Sequence, residues 1–298
     1  MDQKLPAPSI PSQSRVSTSW NQLLGALARL SATGILLLWT AFTIFAFLWI
    51  IVSSFKDNQE LFTSAWSLPS TLHFENYQKA WSVVRMGDYF LNSIVVVGIS
   101  TAAIVAVSAP AAYVLSRVPF RGREVVSNSF IIGMGVPYQL LLVPLFVLLS
   151  GIRLVDTLPG LMVVYVALSL PFTIFLLTGF FRSLPSELED SAAIDGASEY
   201  QVFYRVMLPL ASPGIITAAI FNFIGLWNEY MLALVMINDQ DKRTLSLGLY
   251  GLQGSMQYTS DWVGLFAGVV IVMVPTLILF IVMSERVIEG ITLGATKG

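Results

Sequence analysis

Very few residues in this chain of 298 have the types and spacing that enzyme chemistry requires. There is no Cys and one His, His73, which excludes thiol catalysis, iron–sulfur sites and a His-rich metal site. The G-x-x-x-x-G-K-[ST] pattern that holds ATP phosphates is absent, as are the H-E-x-x-H and G-x-S-x-G patterns of hydrolases. We therefore expect no catalytic residue, no metal site and no cofactor in this chain.

One acidic residue, Glu229, lies inside a long apolar stretch, in the sequence Asn222-Phe-Ile-Gly-Leu-Trp-Asn-Glu-Tyr230. A carboxylate costs about 2.5–3.5 kcal/mol at the centre of a membrane helix on insertion scales, so it usually faces a cavity or a partner. Two interpretations stay open. Glu229 either makes a structural hydrogen bond to a neighbouring helix, or it lines a polar path together with Asn222 and Asn228. An intramembrane aspartyl protease would need a second acid at this depth, and none is present.

The longest polar-rich interval between two apolar stretches runs from residue 183 to residue 213, and it carries two helix-start signals. Ser186 is followed three residues later by Glu189, and Ser198 three residues later by Gln201. Both pairs fit the capping box, in which the two side chains each bond the other residue's backbone N–H. Each pair therefore predicts the start of a helix.

The end signals of this interval are a glycine and two prolines. Gly196 suits the positive-φ position that ends a helix. Pro209 and Pro213 close the unit because proline lacks the N–H that would continue it. The interval is predicted to be a helix, a tight turn and a second helix, held between two membrane spans.

The elements around these residues are apolar and long. Of all residues 55% are hydrophobic and 11% charged, against roughly 25% charged in soluble domains. The net charge of −2 gives no electrostatic reason to expect a nucleic-acid partner. Runs long enough to cross about 30 Å of hydrocarbon predict six membrane helices. These runs cover residues 30–55, 89–116, 125–152, 157–181, 213–238 and 262–284. Of the prolines inside them, Pro137, close to Gly133 and Gly135, marks the third span as the most bent.

Six spans place both termini on one side of the membrane, and the Lys and Arg residues indicate which side. With cytoplasmic termini, ten of these residues lie inside and six outside, and positive residues favour the inside. The polar interval 183–213 then lies in the cytoplasm. The three outer connections are residues 56–88, 153–156 and 239–261. Aromatics in the two longer ones fit either an interfacial belt or a platform for an external partner.

The interval also resembles a known motif. Residues 189–197, with Leu208 and Pro209 twelve residues after the glycine, are similar to the EAA loop of binding-protein-dependent ABC importer permeases. The likeness is to the carbohydrate branch, in particular the smaller permease of maltose-type systems. The positions that carry it are Glu189, Asp190, Ser191, Ala192, Ala193, Asp195, Gly196, Ala197, Leu208 and Pro209. The chain differs from the motif at the three residues that give the motif its name, because it has Asp190-Ser191-Ala192 in place of Glu-Ala-Ala.

Further segments resemble the same family: FENYQKAW, TLSLGLYGLQG with DWVGLFAG, the Trp-Asn-Glu-aromatic sequence at 227–230, and the C-terminal residues 290–298. The resemblance implies an all-α type I permease fold with six transmembrane helices and a cytoplasmic helix–turn–helix coupling loop. In that family the Trp-Asn-Glu-aromatic sequence lies at the outer part of the cavity, although the resemblance assigns no ligand contacts. The candidates for a translocation path in this chain are Asn222, Trp227, Asn228 and Glu229. Aromatic rings and amides suit sugars, through ring stacking and hydrogen bonds to hydroxyl groups.

The partners that the family implies are a second homologous permease, two ATPase subunits that bind ATP and Mg, and an extracytoplasmic sugar-binding protein. The location that it implies is a bacterial or archaeal plasma membrane.

The chain is expected to have three parts. A cytoplasmic tail (1–29) starts with a mobile Pro/Ser/Gln-rich segment that reaches about residue 20. A permease domain (30–284) contains the coupling loop (182–213), and a second cytoplasmic tail (285–298) follows it. Alternatives are an ABC permease for a non-sugar solute, and a secondary transporter or channel that works alone.

Overall fold

The computed structural model describes residues 14–295, with side chains described at 25–255 and 258–283. Throughout this part the chain is helical and forms no strand, which confirms the predicted all-α fold. The α-helices in chain order are α1 (Ser14–Ser54), α2 (Asn58–Thr63), α3 (Glu75–Gln78), α4 (Met86–Arg117), α5 (Arg123–Met134), α6 (Leu142–Gly151), α7 (Leu158–Ser183), α8 (Glu187–Ile194), α9 (Glu199–Gln201), α10 (Leu208–Leu210), α11 (Ser212–Asn228), α12 (Met231–Met236), α13 (Leu245–Thr259) and α14 (Trp262–Ala295). Short π-helices (Lys79–Val83 and Val202–Met207) and 3₁₀ turns (Tyr138–Leu141 and Gln240–Lys242) join some of them.

All six predicted spans are found as helices. Within the described residues, α1, α4, α7 and α14 are each long and apolar enough to cross a membrane. The number rises to six if each of two bent pairs counts as one span: α5 with residues 138–151, and residues 199–210 with α11, of which α11 lies in the fifth predicted run. The fifth span differs from its prediction, because its helix ends at Asn228 and the short α12 follows after a break.

The third span is bent by 93° between α5 and residues 138–151, as its glycines and Pro137 predict. Pro137 has an extended backbone, with ψ of 118°, and a 3₁₀ turn follows it. In contrast, Pro110, Pro171 and Pro275 lie inside the uninterrupted helices α4, α7 and α14. A proline bends a span sharply here where glycines precede it.

The predicted tails are more helical than expected. Residues 1–13 lie outside the described part, but α1 already begins at Ser14, three residues after the last proline of the Pro-rich segment. At the other end, α14 continues through the family-like C-terminal segment as far as Ala295, and residues 296–298 lie outside the described part. Nothing in the sequence stops α14 earlier, since no proline follows Pro275.

The two ends of α4 mark two ends of the bundle. At its start, which we call the loop end, Arg85 pairs with Asp241 at 2.5 Å, and Asp156 accepts hydrogen bonds from the backbone of Asn238 (3.0 Å) and Asp239 (2.9 Å). The three connections predicted to lie outside therefore meet at one end. The polar interval 183–213 packs against the opposite end, where α4 terminates.

Candidate functional site

The interval forms a hairpin of two helices, residues 187–194 and 199–210, which we call the coupling hairpin. Gly196 adopts the left-handed conformation, with φ of +81°, at the turn between them. Its N–H donates to the Ala193 carbonyl, and the Ala197 N–H donates to the Ala192 carbonyl, both at 3.0 Å. This pair of bonds is the Schellman motif, in which the N–H groups that follow a helix bond the carbonyl groups of its last turn. The predicted helix–turn–helix and the predicted positive φ of Gly196 are confirmed.

One of the two predicted capping boxes is present. Ser198 Oγ accepts from the Gln201 N–H at 3.4 Å, and Gln201 Oε1 accepts from the Ser198 N–H at 2.8 Å. For Ser186 and Glu189 the predicted helix start is correct, since α8 begins at Glu187, but the capping box was wrong, because Ser186 has a helical backbone and its side chain makes no capping bond. The carboxylate of Glu189 is held elsewhere, by Tyr113 of α4.

The second helix of the hairpin ends at Leu210, and the chain bends by 69° into α11 at Ala211. The break lies between Pro209 and Pro213, the two prolines predicted to close the unit. The π-helical turns of Val202–Met207 come just before Pro209. Their wider backbone accommodates the proline ring, which in a regular α-helix clashes with the carbonyl four residues earlier.

Arg117, the last residue of α4, fastens the hairpin to the bundle. Its Nε and Nη2 donate to the Phe181 carbonyl at 3.1 and 2.6 Å, and Nη2 also donates to the Leu184 carbonyl. Its Nη1 lies 3.5 Å from Glu189 Oε2, while the Tyr113 hydroxyl donates to Glu189 Oε1 at 2.9 Å. One side chain thereby joins the ends of α4 and α7 to the first helix of the hairpin.

The ten motif positions divide between two faces of the hairpin. Ala192, Ala197 and Leu208 pack on a buried cluster that includes Phe181 and Phe203, and Glu189 also points towards the bundle. The others are exposed: Asp190, Ser191, Ala193, Asp195, Gly196 and Pro209.

The hairpin also exposes large apolar side chains. Ile194 is 86% exposed and Tyr200 is 79% exposed, and Tyr204 is also exposed. Tyr200 and Tyr204 border a hollow against Pro110 and Tyr113 of α4. Exposed apolar groups of this size are typical of a docking surface.

A second feature is a cavity of about 870 Å³ in the membrane part of the bundle. It lies between the bend of the third span, α7, α11 and the break that follows α11. Its polar lining consists of Tyr138, Tyr165, Ser169, Asn222, Asn228, Glu229 and Tyr230. A mostly apolar hollow with a few convergent polar groups is the usual form of a small-molecule site.

Glu229 lies in the break between α11 and α12 rather than inside a helix. Its Oε1 accepts from the Leu232 N–H at 2.6 Å, and its Oε2 accepts from the Tyr165 hydroxyl at 2.7 Å and from the Ala233 N–H at 3.3 Å. The two interpretations of this residue are therefore not exclusive. Glu229 bonds the neighbouring helix α7 and also lines the cavity.

The structure separates the other three candidates for a translocation path. Asn222 and Asn228 line the cavity. Trp227 does not, since it is fully buried between Phe90 and Phe223, and its indole N–H donates to the Val272 carbonyl at 3.0 Å. The reason is helical geometry. Five residues correspond to about 140° beyond a full turn, so Trp227 and Asn222 point to different sides of α11.

Several residues of both features escaped prediction from the sequence. Tyr113, Tyr138 and Tyr165 lie in apolar runs, where a tyrosine gives no local sign of its partner. For Arg117 the sequence offers a weak indication, because it is a basic residue at the end of an apolar run, and such a residue can bond helix-terminal carbonyls.

Helical spans with a mostly apolar cavity between some of them, and a hairpin at one end, define a membrane permease. Residues 98–287 match the family model described as binding-protein-dependent transport system inner membrane component, and the chain belongs to this family. A diacetylchitobiose uptake system permease protein of Streptomyces coelicolor is 42% identical over 263 residues, 88% of this chain and 87% of that protein. A trehalose transport system permease protein of Mycobacterium tuberculosis is 34% identical over 84% of this chain and 91% of that protein.

A solved structure shows the same fold. It is the crystal structure of a bacterial ABC transporter involved in the import of the acidic polysaccharide alginate. One of its chains matches with a TM-score of 0.69 and 22% identity, covering 94% of this chain and 99% of that one. The predicted ABC importer permease fold is thus confirmed.

Proposed function

We propose that this chain is one permease subunit of an ATP-driven carbohydrate importer in a bacterial or archaeal plasma membrane. It pairs with a second homologous permease to form the translocation path. Two ATPase subunits bind ATP and Mg and dock on the coupling hairpin, and an extracytoplasmic sugar-binding protein delivers the substrate at the loop end. Both termini and the hairpin are cytoplasmic in this proposal.

The observation that carries the proposal is the two-faced hairpin. Arg117 and the buried cluster attach it to the ends of α4 and α7, while Ala193 and Ile194 near its turn remain exposed. A partner that pushes on the exposed face therefore moves α4 and α7 with the hairpin. Since Tyr165 on α7 lines the cavity, such a movement reaches the cavity wall. Closure of the ATPases would rock these helices and turn the cavity from inside-facing to outside-facing.

Carbohydrate is the favoured cargo for two reasons. The relatives named above carry diacetylchitobiose and trehalose in their names, and the cavity combines aromatic rings with amide and hydroxyl groups. Tyrosine faces can stack on sugar rings, and Asn222, Asn228 and Glu229 can bond sugar hydroxyls. We keep these three residues as the candidate path and leave out Trp227.

A labelling experiment tests docking and orientation together. The wild-type chain has no Cys, so Ala193→Cys on the exposed face creates a single target for a membrane-impermeant thiol reagent. We expect labelling only from the cytoplasmic face of inverted vesicles, and protection by the ATPase. Ala192→Cys is the matched control, because this neighbour faces the bundle and should react slowly with or without the ATPase.

Each other outcome has a definite meaning. Labelling of the Ala193→Cys variant from outside would overturn the topology and the ABC assignment. Cytoplasmic labelling that no ATPase protects would favour a transporter that works alone. Uptake by the assembled importer, measured with a panel of sugars, amino acids, peptides and phosphate, tests the cargo class.

A further inference from the structure

The cavity has one fixed charge and no counter-charge. Glu229 is its only acidic lining residue, and none of the described lining residues is a Lys, an Arg or a His. Glu229 accepts three hydrogen bonds, from the Tyr165 hydroxyl and from the Leu232 and Ala233 N–H groups. This subunit therefore contributes an unbalanced negative charge to the cavity.

Two of the lining groups present acceptors. Asn222 donates both of its amide hydrogens within the protein, to Thr173 Oγ1 at 2.9 Å and to the Ala218 carbonyl at 2.8 Å. Its carbonyl oxygen is left to accept. Glu229 Oε1 receives one bond, from the Leu232 N–H, and a carboxylate oxygen has room for a second. These two acceptors suit hydroxyl, amide N–H and ammonium groups of a ligand, while the hydroxyl groups of Tyr138, Ser169 and Tyr230 can donate as well as accept.

An anionic ligand would meet the charge of Glu229 unfavourably. Two like charges about 6 Å apart repel at an effective dielectric constant of about 20, and this corresponds to about a hundredfold weaker binding.

We infer that the cavity admits carbohydrates without negative charge, neutral or amino-bearing, and excludes uronates and sugar phosphates, with Glu229 as the residue that sets this selectivity. The inference rests on the proposed function and names the substrate class for the same cavity.

Charged thiol reagents test the electrostatics without any sugar. Asn228→Cys places a single thiol on the cavity wall of the cysteine-free chain. In the assembled importer, we measure its reaction with a cationic trimethylammonium and an anionic sulfonate methanethiosulfonate of similar size. Removing the charge with Glu229→Gln should lower the cationic-to-anionic rate ratio about tenfold. Asp88→Asn, which removes an exposed charge at the loop end, is the matched control and should leave the ratio unchanged.

Protection of the same thiol then tests the ligand class. Chitobiose with free amino groups and neutral diacetylchitobiose should slow labelling of the Asn228→Cys variant at concentrations at which cellobiouronic acid does not. An unchanged rate ratio in Glu229→Gln, or equal protection by the uronate, would overturn the inference. Neither result touches the proposed function, which is tested by the labelling of Ala193→Cys and by carbohydrate uptake.

Discussion

Glu189 Oε2 lies 3.5 Å from Arg117 Nη1, and this pair joins the coupling hairpin to the end of α4. The same guanidinium bonds the carbonyls of Phe181 and Leu184 at the end of α7. A planar guanidinium has five N–H donors in a fixed fork, so it can hold a carboxylate and two carbonyls at once. Three helices are fixed relative to one another by one residue.

Replacing Arg117 with Met should uncouple the hairpin from the bundle. Glu189 and two helix-terminal carbonyls would lose a largely buried partner, at a cost of about 2–4 kcal/mol. We expect a lower Tm of the detergent-purified protein, and at least about a tenfold rise in ATP hydrolysed per sugar imported. Arg117→Lys should rescue this only in part, since an ammonium group cannot reproduce the fork.

The matched control for this variant is Arg121→Met, in the same connection but exposed. It removes the same charge from the same region and should change neither Tm nor coupling. Full coupling in Arg117→Met would show that the apolar cluster around Phe181 fastens the hairpin without Arg117.

Gly196 should tolerate no proline and should tolerate alanine poorly. Proline cannot adopt the φ of +81° found at this position, because its ring fixes φ near −65°. Alanine can adopt this φ, at a conformational free-energy cost of about 1–2 kcal/mol. Gly196→Pro should abolish ATP-driven transport while membrane insertion stays normal, and Gly196→Ala should reduce transport. Gly179→Ala in α7 serves as the control, because an added Cβ there meets open space. Wild-type transport by Gly196→Pro would contradict the role of this turn.

The features that could be predicted from the sequence depend on near neighbours in the chain. Long apolar runs predict the spans, Gly196 predicts the turn, Ser198 with Gln201 predicts a capping box, and Pro137 predicts the bend. In each case the determining residues lie within a few positions of one another. Local propensity and hydrophobic pattern are then sufficient.

The predictions that were wrong concern side chains whose partners lie in distant segments of the chain. Glu189 had the spacing to cap its own helix, but Arg117 and Tyr113 offer it a charge-assisted bond and a hydroxyl. Glu229 appeared to lie inside a span, but its carboxylate bonds α7 through Tyr165 and the backbone after the break. Which partner a side chain chooses depends on packing, and the sequence alone does not show this.

The loop end should loosen in acid because of Asp156. Hydrogen bonds from the backbone N–H groups of Asp239 and Asn238, together with nearby Lys242, hold the pKa of Asp156 below its ordinary value of 3.8. A lowered pKa in the folded protein means that the stabilisation is complete above the ordinary value. It is lost as the pH falls through the folded value. We expect a spin label or fluorophore at Gln240→Cys to gain mobility below about pH 4.

The variant Asp156→Asn distinguishes the effect of this carboxylate from the effects of neighbouring acids. Asparagine keeps an oxygen for the two N–H groups and tolerates the left-handed backbone, with φ of +60°, at this position. The acid-induced gain in mobility should therefore shrink in this variant. An unchanged transition would assign it to another acid at the loop end, such as Asp239, whose pKa is also lowered, chiefly by the backbone N–H of Asp241.

A pair of glycines in α13 tests how this helix is held on the bundle. The Gly248 backbone approaches the ring of Tyr89 on α4 so closely that an added Cβ would lie 2.2 Å from a ring carbon, whereas a Cβ at Gly254 meets nothing within 4 Å. Tyr89 is buried and belongs to the central core, so its ring cannot move aside freely. Gly248→Ala should therefore cost about 1–3 kcal/mol through overpacking.

Gly254→Ala makes the same chemical change in the same helix, and should stabilise it by about 0.5–1 kcal/mol, because alanine favours a helix over glycine. The two variants should consequently shift the Tm of the purified protein in opposite directions. Combining Gly248→Ala with Tyr89→Leu, which removes the ring, should recover part of the loss. If both alanine variants shifted Tm alike, helix propensity alone would govern α13. Its close approach to α4 would then not hold it in place.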